Sequence, residues 1–412
     1  MFHANGDFFD TNSIAKQSKQ SNDIVENFSD CNCKKGPVVS NLFGVGDAPQ
    51  ISNEDIENAQ KIMESEGKNL SKIKSLEIGS LFHKKIRSVM RPFLKPGLKL
   101  SELAEIIENT CKSLTKNKGI NRGIGFPSSL SVNECAAHFS PSKMQDVTLD
   151  EKSITKIDFG VEVNGWITDC AFTVAFNDEY INLLKGVQEA TNHGIKTVAI
   201  DQDIGEWGAG IKEIMNSYEV TIDGKTYPIQ PIKNLGGHNI LKNKIHGGIF
   251  LPSSNVYEYV PYNRPRFVEN VYAVETFGST KSNTIIPHSQ ENTVYMRKFC
   301  DKPKEEIREK LDGNYVKIFD IIDSTFKTMA FSDRYLETYK VFEKLKPMGF
   351  DLSKQSGLDK FKKNAMSHFT SKNIYTAFPP LYCLKDGMTA QYEHTIYLSE
   401  NKKIIFSNST DY

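Results

Sequence analysis

Asp158 and Asp169 stand inside two apolar runs, KIDFGVEV and WITDCAFTV, on either side of Asn164-Gly165. Asn-Gly between β-rich runs predicts a two-residue hairpin turn, because both central residues of a type I′ turn need positive φ. Counting outward from that turn, Val163 pairs with Trp166, Gly160 faces Asp169 and Asp158 faces Ala171. Cross-strand partners share a face, so both acids project from one side of the hairpin as diagonal neighbours. Two ionised carboxylates this close on a half-buried sheet repel each other and lose hydration, which raises one pKa sharply unless a cation lies between them. A divalent metal ion meets that need, and Gly160 and Ala171 leave room for one. The alternative is an ordinary hairpin with one acid solvated at a sheet edge.

If the hairpin holds metal, the remaining ligands are expected inside other strand-like runs, where side-chain direction is fixed. Glu275 lies mid-strand in NVYAVETFGS on one face with Ala273 and Phe277, and Glu393 lies in TAQYEHTIYL between Gln391 and Thr395 on its own face. His238, in NLGGHNI, follows two glycines that let the backbone approach something closely. Four carboxylates and one imidazole carry four negative charges, which two divalent ions neutralise. Oxygen-rich donors with a single nitrogen favour Mn, Fe, Co or Zn without ranking them. Two ions about 3.5–4 Å apart are suited to hydrolysis, since they acidify a water that they share and polarise the scissile carbonyl. His138 in SVNECAAHFSP and His246 in NKIHGGIF each read alone as hydrogen-bonded structural histidines. Beside a metal cluster they become candidates for contacting a substrate. His83, His193, His288 and His368 read as surface residues without an assigned role.

The elements that must position these side chains follow from periodicity and punctuation. The chain has 412 residues, enough for a large core in one or two domains, and its 51 Lys+Arg balance 51 Asp+Glu. Charge balance gives no nucleic-acid signal and no attraction to an acidic membrane. Seven cysteines, mostly in apolar contexts, fit reduced thiols in a cytoplasmic protein better than a disulfide framework, and Cys31-Asn32-Cys33 reads as idle. No leader pattern and no 18-residue apolar run is present, so no membrane association is expected.

Residues 1–50 are polar and aperiodic and are expected to be a disordered or loosely attached arm. Ser52 or Asn53 is placed to cap a first helix, and Ser101 a later one whose stripe Leu103, Ile106, Ile107, Cys111 and Leu114 belongs in the core. From about 120 to 280, strand-like runs alternate with helices near 178–200 and 204–217, which predicts an α+β fold with a largely antiparallel sheet. Residues 301 to about 345 are expected to be helical, with Ile318, Ile321, Ile322, Phe326 and Met329 on one side. Residues 353–373 read as a polar surface excursion, with Lys360, Lys362 and Lys363 on a solvated face rather than an RNA contact.

Taken together, KPGLKLSELAEIIE, GFPSSLSVNECAAHFSP, KIDFG with GWITDCAFTV, NLGGHNI, IHGG, YAVETFGST, PPLYCLKDGMTAQYEHTI and the terminal DY resemble a type 2 methionine aminopeptidase of the pita-bread fold. The resemblance covers residues from about 55 to 412, with several spaced motifs in the right order. It implies a metallopeptidase domain over residues 51–412 that contains a helical insertion at 300–380. It also implies removal of initiator methionine from nascent polypeptides whose second residue is small.

Position by position, the resemblance makes Asp158 a bidentate ligand of one metal, Asp169 and Glu393 the bridging carboxylates, and His238 and Glu275 the ligands of the other. Glu275 would also shuttle a proton, and the metals would bind the substrate's free α-amine. His138 would hydrogen-bond the scissile amide, and it is the residue that fumagillin-type epoxides alkylate in this family. His246 would steady the carbonyl oxygen as charge develops. The methionine side chain would enter a pocket of Phe126, Ile245, Ala330 and Phe378. Val294 stands where one family pattern has a pocket histidine, and Phe378 where it has tyrosine, so the pocket is more apolar.

The implied partners are nascent N-termini, with the ribosome as the setting and a monomer as the working form. The lysine-rich N-terminal block of animal relatives is missing from the sequence, so contacts through such a block are not expected. Two other readings are a prolidase or aminopeptidase P, which shares the fold and ligand set, and a non-catalytic scaffold that has lost its ligands. The segment GFPSSLSVNECAAH and the insertion favour methionine over proline specificity, and the intact ligand set argues against a scaffold.

Overall fold

Positive φ at Asn164 (54°) and Gly165 (80°) closes the expected hairpin. Its strands β3 (Ile154–Val163) and β4 (Trp166–Ala175) pair in the register read from sequence, Val163 with Trp166, Gly160 with Asp169 and Asp158 with Ala171. These features come from a computed structural model that describes residues 42–142, 145–260, 262–288, 294–298 and 303–412. The arm expected over residues 1–50 falls mostly outside the described residues, as do Cys31, Cys33 and Cys300.

Among the described residues three helices come first. Ser52 caps α1 (Asn53–Glu66) in a reciprocal capping box with Asp55. It is followed by α2 (Lys72–Met90) and α3 (Leu100–Thr115). Helix α3 begins one residue before Ser101, which therefore does not cap it; instead the Ser101 N–H and Oγ–H donate to the Asp146 carboxylate at 2.9 and 2.5 Å. Leu103, Ile107, Cys111 and Leu114 are buried as expected.

Strand β1 (Arg122–Val132) pairs with β3 to complete the sheet β1-β3-β4, and the short β2 (Cys135–Ala137) follows it. Helices α4 (Ile181–Thr197) and α5 (Ile204–Asn216) fall where periodicity placed them. A small hairpin, β5 (Glu219–Ile222) and β6 (Lys225–Pro228), leads into β7 (Gln230–Pro231), β8 (Gly236–Ile240), β9 (Phe250–Pro252) and β10 (Asn270–Ser279). After β11 (Ile285–Pro287) and β12 (Val294–Arg297) come the short helices α6 (Lys304–Arg308), α7 (Asn314–Phe326), α8 (Asp333–Thr338) and α9 (Val341–Leu345). Gly313, at φ 50°, and Lys327, also at 50°, interrupt what the apolar spacing suggested as longer helix.

Residues 353–373 lie at the surface, with Lys360 and Lys363 exposed as expected, but they also bury an apolar face. Helix α10 (Gln355–Phe361), a π-helical turn (Lys362–Met366) and α11 (Ser367–Ser371) bury Leu358, Phe361, Ala365, Met366 and Phe369. Lys362 leaves the solvated face and pairs with buried Asp333 at 2.5 Å. These apolar residues keep the spacing of one helical face, and the more numerous polar residues between them made the run read as polar.

The chain closes with β13 (Tyr375–Phe378), β14 (Leu381–Cys383), β15 (Thr389–Leu398) and β16 (Lys403–Ile405). The second sheet runs β16-β15-β10-β8-β9, with β7 also on β10. Smaller ladders are β11-β14-β2 and β12-β13, and every ladder among the described residues is antiparallel.

The two main sheets meet along β4 and β15, where threonine side chains replace a backbone ladder. The Thr395 hydroxyl accepts from the Asp169 N–H at 2.8 Å and donates to the Asp169 carbonyl at 2.6 Å. Thr173 does the same for Gln391, at 2.8 and 2.7 Å. Buried backbone groups at the seam are thereby satisfied without main-chain pairing. Behind it, Arg87 donates to the Ser407 carbonyl at 3.1 and 3.2 Å and pairs with Asp411 at 2.7 Å. His83 is no surface residue: it is fully buried, stacked on Phe159 at 3.9 Å with Nε2 at 2.9 Å from the Phe159 carbonyl.

Candidate active site

At the seam, strand alternation aims the acids into one cavity. Asp158 comes from β3 and Asp169 from β4. Glu275 and Glu393 are direct register partners on β10 and β15, and His238 on β8 faces Ala273 of β10. Asp169, His238 and Glu393 offer ligand atoms that all lie within 4.8 Å of one another. His238 Nε2 lies 3.7 Å from Asp169 Oδ2 and 3.9 Å from Glu275 Oε1. Gly236 and Gly237 permit this approach, since a Cβ on Gly237 would stand 2.3 Å from the Ala273 carbonyl oxygen.

The space at Gly160 does not serve an ion. A Cβ there would lie 2.6 Å from Phe126 Cε1 and 2.8 Å from Ile167, so an aromatic ring and an aliphatic side chain fill it. The opening for a cation lies between the carboxylates themselves.

Among the described residues, buried Asp158 Oδ1, Asp169 Oδ1 and Glu393 Oε1 have no hydrogen-bond partner. Unpaired buried carboxylates are costly, and a divalent cation is the partner that this set of oxygens with one imidazole fits. Burial pushes the Asp158 carboxyl up to about 7, against the Gln391 amide. Burial and then the Asp158 charge hold Asp169 well above the usual carboxylate range. Burial followed by neighbouring carboxylates does the same at Glu275 and Glu393. His238 is held well below the usual imidazole range by burial and then by His246, which keeps its ring neutral and fit to ligate.

Gln391, which sequence reasoning placed on the Glu393 face without a role, ties the acids together. Its Nε2 donates to Glu275 Oε2 at 2.9 Å and to Asp158 Oδ2 at 3.4 Å.

Above the acids is an open cavity of about 660 Å³. Phe126, Ile245, Ala330 and Phe378 all line it, together with Val294 and with Met296, Leu235 and Phe277, which the sequence did not single out. Val294 and Phe378 are cross-strand partners in the β12-β13 ladder. His138 has a positive φ of 68°, fixed where its N–H donates to Ser129 Oγ at 2.9 Å, and its ring meets Phe378 edge-on at 5.7 Å. His246 stands 4.4 Å from the His238 ring, on a loop held by Asn239, whose carbonyl accepts from Gly247 at 2.7 Å and whose Oδ1 accepts from Ile249 at 2.8 Å. Burial lowers both His138 and His246 to about 4, with His246 adding to the effect on His138.

Carboxylates and a neutral imidazole under an apolar cavity, with two further histidines at its wall, define a metallopeptidase. Residues 74–292, more than half of the chain, match the model of metallopeptidase family M24, and the chain belongs to that family. Within it the chain groups with the type 2 methionine aminopeptidases. It is 37% identical over 334 residues to "Methionine aminopeptidase 2" of Komagataella phaffii, covering 81% of this chain and 69% of that protein. It is 36% identical over 391 residues to "Methionine aminopeptidase 2" of Botryotinia fuckeliana, covering 91% and 81%. Among solved structures, a thermophilic Arx1 shares the fold with a TM-score of 0.61 at 15% identity, over 88% of this chain and 93% of that one. The α+β architecture is the pita-bread fold.

Proposed function

We propose that the protein removes N-terminal methionine from nascent polypeptides whose second residue is small. The observation that carries this reading is the convergence of Asp158, Asp169, His238, Glu275 and Glu393 under a cavity walled by Phe126, Ile245, Ala330 and Phe378. The acids and His238 hold two divalent ions, of Mn, Fe, Co or Zn, whose charge balances four carboxylates. Bound there, such ions polarise a peptide carbonyl and acidify water.

The remaining work falls to the chain's own groups. Glu275 accepts the water proton and passes it to the leaving amine, a role suited to a carboxylate whose proton affinity burial has raised. His138 hydrogen-bonds the scissile amide, and His246 donates to the carbonyl oxygen as negative charge develops there. The apolar wall takes the methionine side chain and excludes water. Residues 300–380 act as an insertion of the catalytic domain, 51–412, because Ala330 and Phe378 bring its side chains into the pocket wall.

All of these residues come from one chain, so a monomer suffices. Among the described residues no helix is long and apolar enough to cross a membrane. A substrate still bearing initiator methionine puts the enzyme in the cytoplasm, close to ribosomes.

The test is hydrolysis of Met-Ala-Ser beside Met-Pro and Ala-Pro peptides by protein reconstituted in turn with Mn, Co, Fe and Zn, with Asp169→Asn as control. Metal-dependent methionine release from Met-Ala-Ser, lost in the control, is the expected result. Preference for Ala-Pro would replace this reading with a prolidase, and no turnover with any metal would end it.

A further inference from the structure

Phe126 and Ser129 of β1 both line the active-site cavity, although residues three apart point to opposite faces of a regular strand. A bulge reconciles them. In the ladder with β3, Phe126 pairs with Gly160 and Ser129 with Asp158, so Pro127 and Ser128 together stand against Phe159 alone. The extra residue turns both Phe126 and Ser129 to the face that carries Asp158.

His138 depends on the strand just beyond this bulge. Ser129 Oγ accepts from the His138 N–H at 2.9 Å, and Ser131 Oγ accepts from the Phe139 N–H at 3.3 Å. The Leu130 N–H donates to the Phe139 carbonyl at 2.7 Å. The segment that bears His138 therefore hangs on β1, and a shift of the bulge moves the histidine with it.

A bulged residue is left without its ladder partner, and Pro127 has no N–H to leave. The Ser128 N–H turns out of the sheet and donates to Glu108 Oε1 of α3 at 3.2 Å. The same oxygen accepts from Arg334 Nη2 of α8 at 2.5 Å, and that nitrogen also reaches Ser140 Oγ, two residues past His138, at 3.4 Å. Nε and Nη1 of Arg334 have no hydrogen-bond partner among the described residues, so one nitrogen carries both contacts. The two side chains are 6% and 10% exposed, and removing either polar end leaves the other unpaired out of water. Arg334 is itself anchored, since its neighbour Asp333 pairs with Lys362 at 2.5 Å. Neither Glu108 nor Arg334 lines the cavity.

We propose that Glu108 and Arg334 are a positioning pair for the active site, which holds the β1 bulge through the Ser128 N–H and the His138 segment through Ser140. This inference rests on the reading of His138 as a substrate contact. It makes the insertion a brace for that histidine as well as a wall of the pocket.

The experiment compares Glu108→Met, Arg334→Met and Glu108→Gln with wild type, all full-length and zinc-loaded. Methionine keeps the volume and removes the polar contact, whereas the glutamine amide still offers the Ser128 N–H an oxygen. Hydrolysis of Met-Ala-Ser is followed beside NMR of protein labelled on its histidine rings. Both methionine variants are expected to lose kcat by about tenfold to a hundredfold, the cost of a misplaced contacting group. They should also shift the His138 ring signals while those of His394, behind the seam, stay in place. Glu108→Gln should keep kcat close to that of wild type. Zinc affinity should be unchanged in all three, because the β3-β4 ladder sets Asp158 and Asp169. Thermal unfolding confirms that each variant is folded at the assay temperature, and Arg334→Met carries the test if Glu108→Met does not fold.

Wild-type kcat or unmoved His138 signals in the methionine variants overturn the proposal. So does weakened zinc binding, which would move their effect from His138 to the metal ligands. A wild type that releases no methionine ends the aminopeptidase reading instead, and the His138 signals then decide whether the pair holds that segment.

Discussion

Thr395 satisfies both backbone groups of Asp169 with one hydroxyl, accepting from its N–H and donating to its carbonyl. The β3-β4 ladder sets the direction of the Asp169 side chain, and this exchange fixes its backbone against β15. Thr395→Val keeps the shape and leaves a buried N–H and a buried carbonyl unpaired. From about 1–3 kcal/mol for each of the two unsatisfied groups, the expected loss is about 2–6 kcal/mol in chemical denaturation. Stability within about 0.5 kcal/mol of wild type would mean that the seam is held by packing alone.

Gln391 links Glu275 and Asp158 through one amide nitrogen. Gln391→Met removes that donor and keeps the volume. Groups that orient metal ligands typically change affinity by about 10–100-fold, so weaker zinc binding in that range is expected in competition with a chelator. Unchanged affinity would show that packing alone orients the two acids.

Metal removal should make stability fall with pH. Burial raises Asp158 from 3.8 to about 7, and it raises Asp169, Glu275 and Glu393 in the same direction. A carboxyl whose folded pKa is raised binds protons more tightly in the native state. Its contribution is therefore full below its unfolded pKa and is lost as pH rises through the folded value. His138 and His246, depressed from 6.5 to about 4, work the other way, and their contribution is lost only as pH falls through that lower interval. Between pH 6.5 and 8 the carboxylates thus decide the slope. Chelator-treated protein should show a falling Tm across this interval, and protein saturated with zinc a nearly level one; a level profile without metal would contradict the charge argument.

Val294 and Phe378 face each other across the β12-β13 ladder and bring no polar atom to the cavity wall. The pocket should therefore read shape more than the thioether. Norleucine-Ala-Ser is expected to approach Met-Ala-Ser in kcat/KM within about tenfold, the upper range of sulfur–aromatic contacts. The double variant Val294→His, Phe378→Tyr should widen the ratio in favour of methionine. A wild-type ratio already near a hundredfold would locate sulfur recognition elsewhere.

Arg87 and Asp411, 1% and 3% exposed, are paired at 2.7 Å behind the seam. Truncating one partner of a buried pair leaves the other charge uncompensated, at a cost of about 3–5 kcal/mol. Arg87→Ala should lose stability of that order in denaturant titration, and Asp411→Asn less, since an amide still accepts a hydrogen bond. A loss below about 1 kcal/mol in Arg87→Ala would show that solvent reaches the pair.

The hairpin register was legible because Asn164-Gly165 fixes the count and each pleat step reverses the side-chain direction. The same alternation put Gln391 and Thr395 beside Glu393, but not the distances that turn one into a bridge and the other into a splice. Those depend on how two sheets meet, a tertiary fact. His83 reads as a surface residue because Lys84 and Lys85 follow it, whereas its ring stacks on Phe159. The buried face of residues 355–371 escaped because polar residues outnumber the apolar stripe there, although the stripe keeps helical spacing. Glu162, an acid in an apolar strand like Asp158, carries the same sequence signal and lies outside the cluster.

The threonine splice also bears on the order of assembly. Asp169 and Thr395 are 226 residues apart, and Gln391 and Asp158 are 233 apart. Hairpin β3-β4 can form early from local contacts, while its acids must wait for β15 to dock across the whole intervening chain. Tight capture of metal is therefore a late event in folding, and a refolding protein that has acquired it has completed its longest-range contacts. Retained zinc would then report native topology rather than local structure.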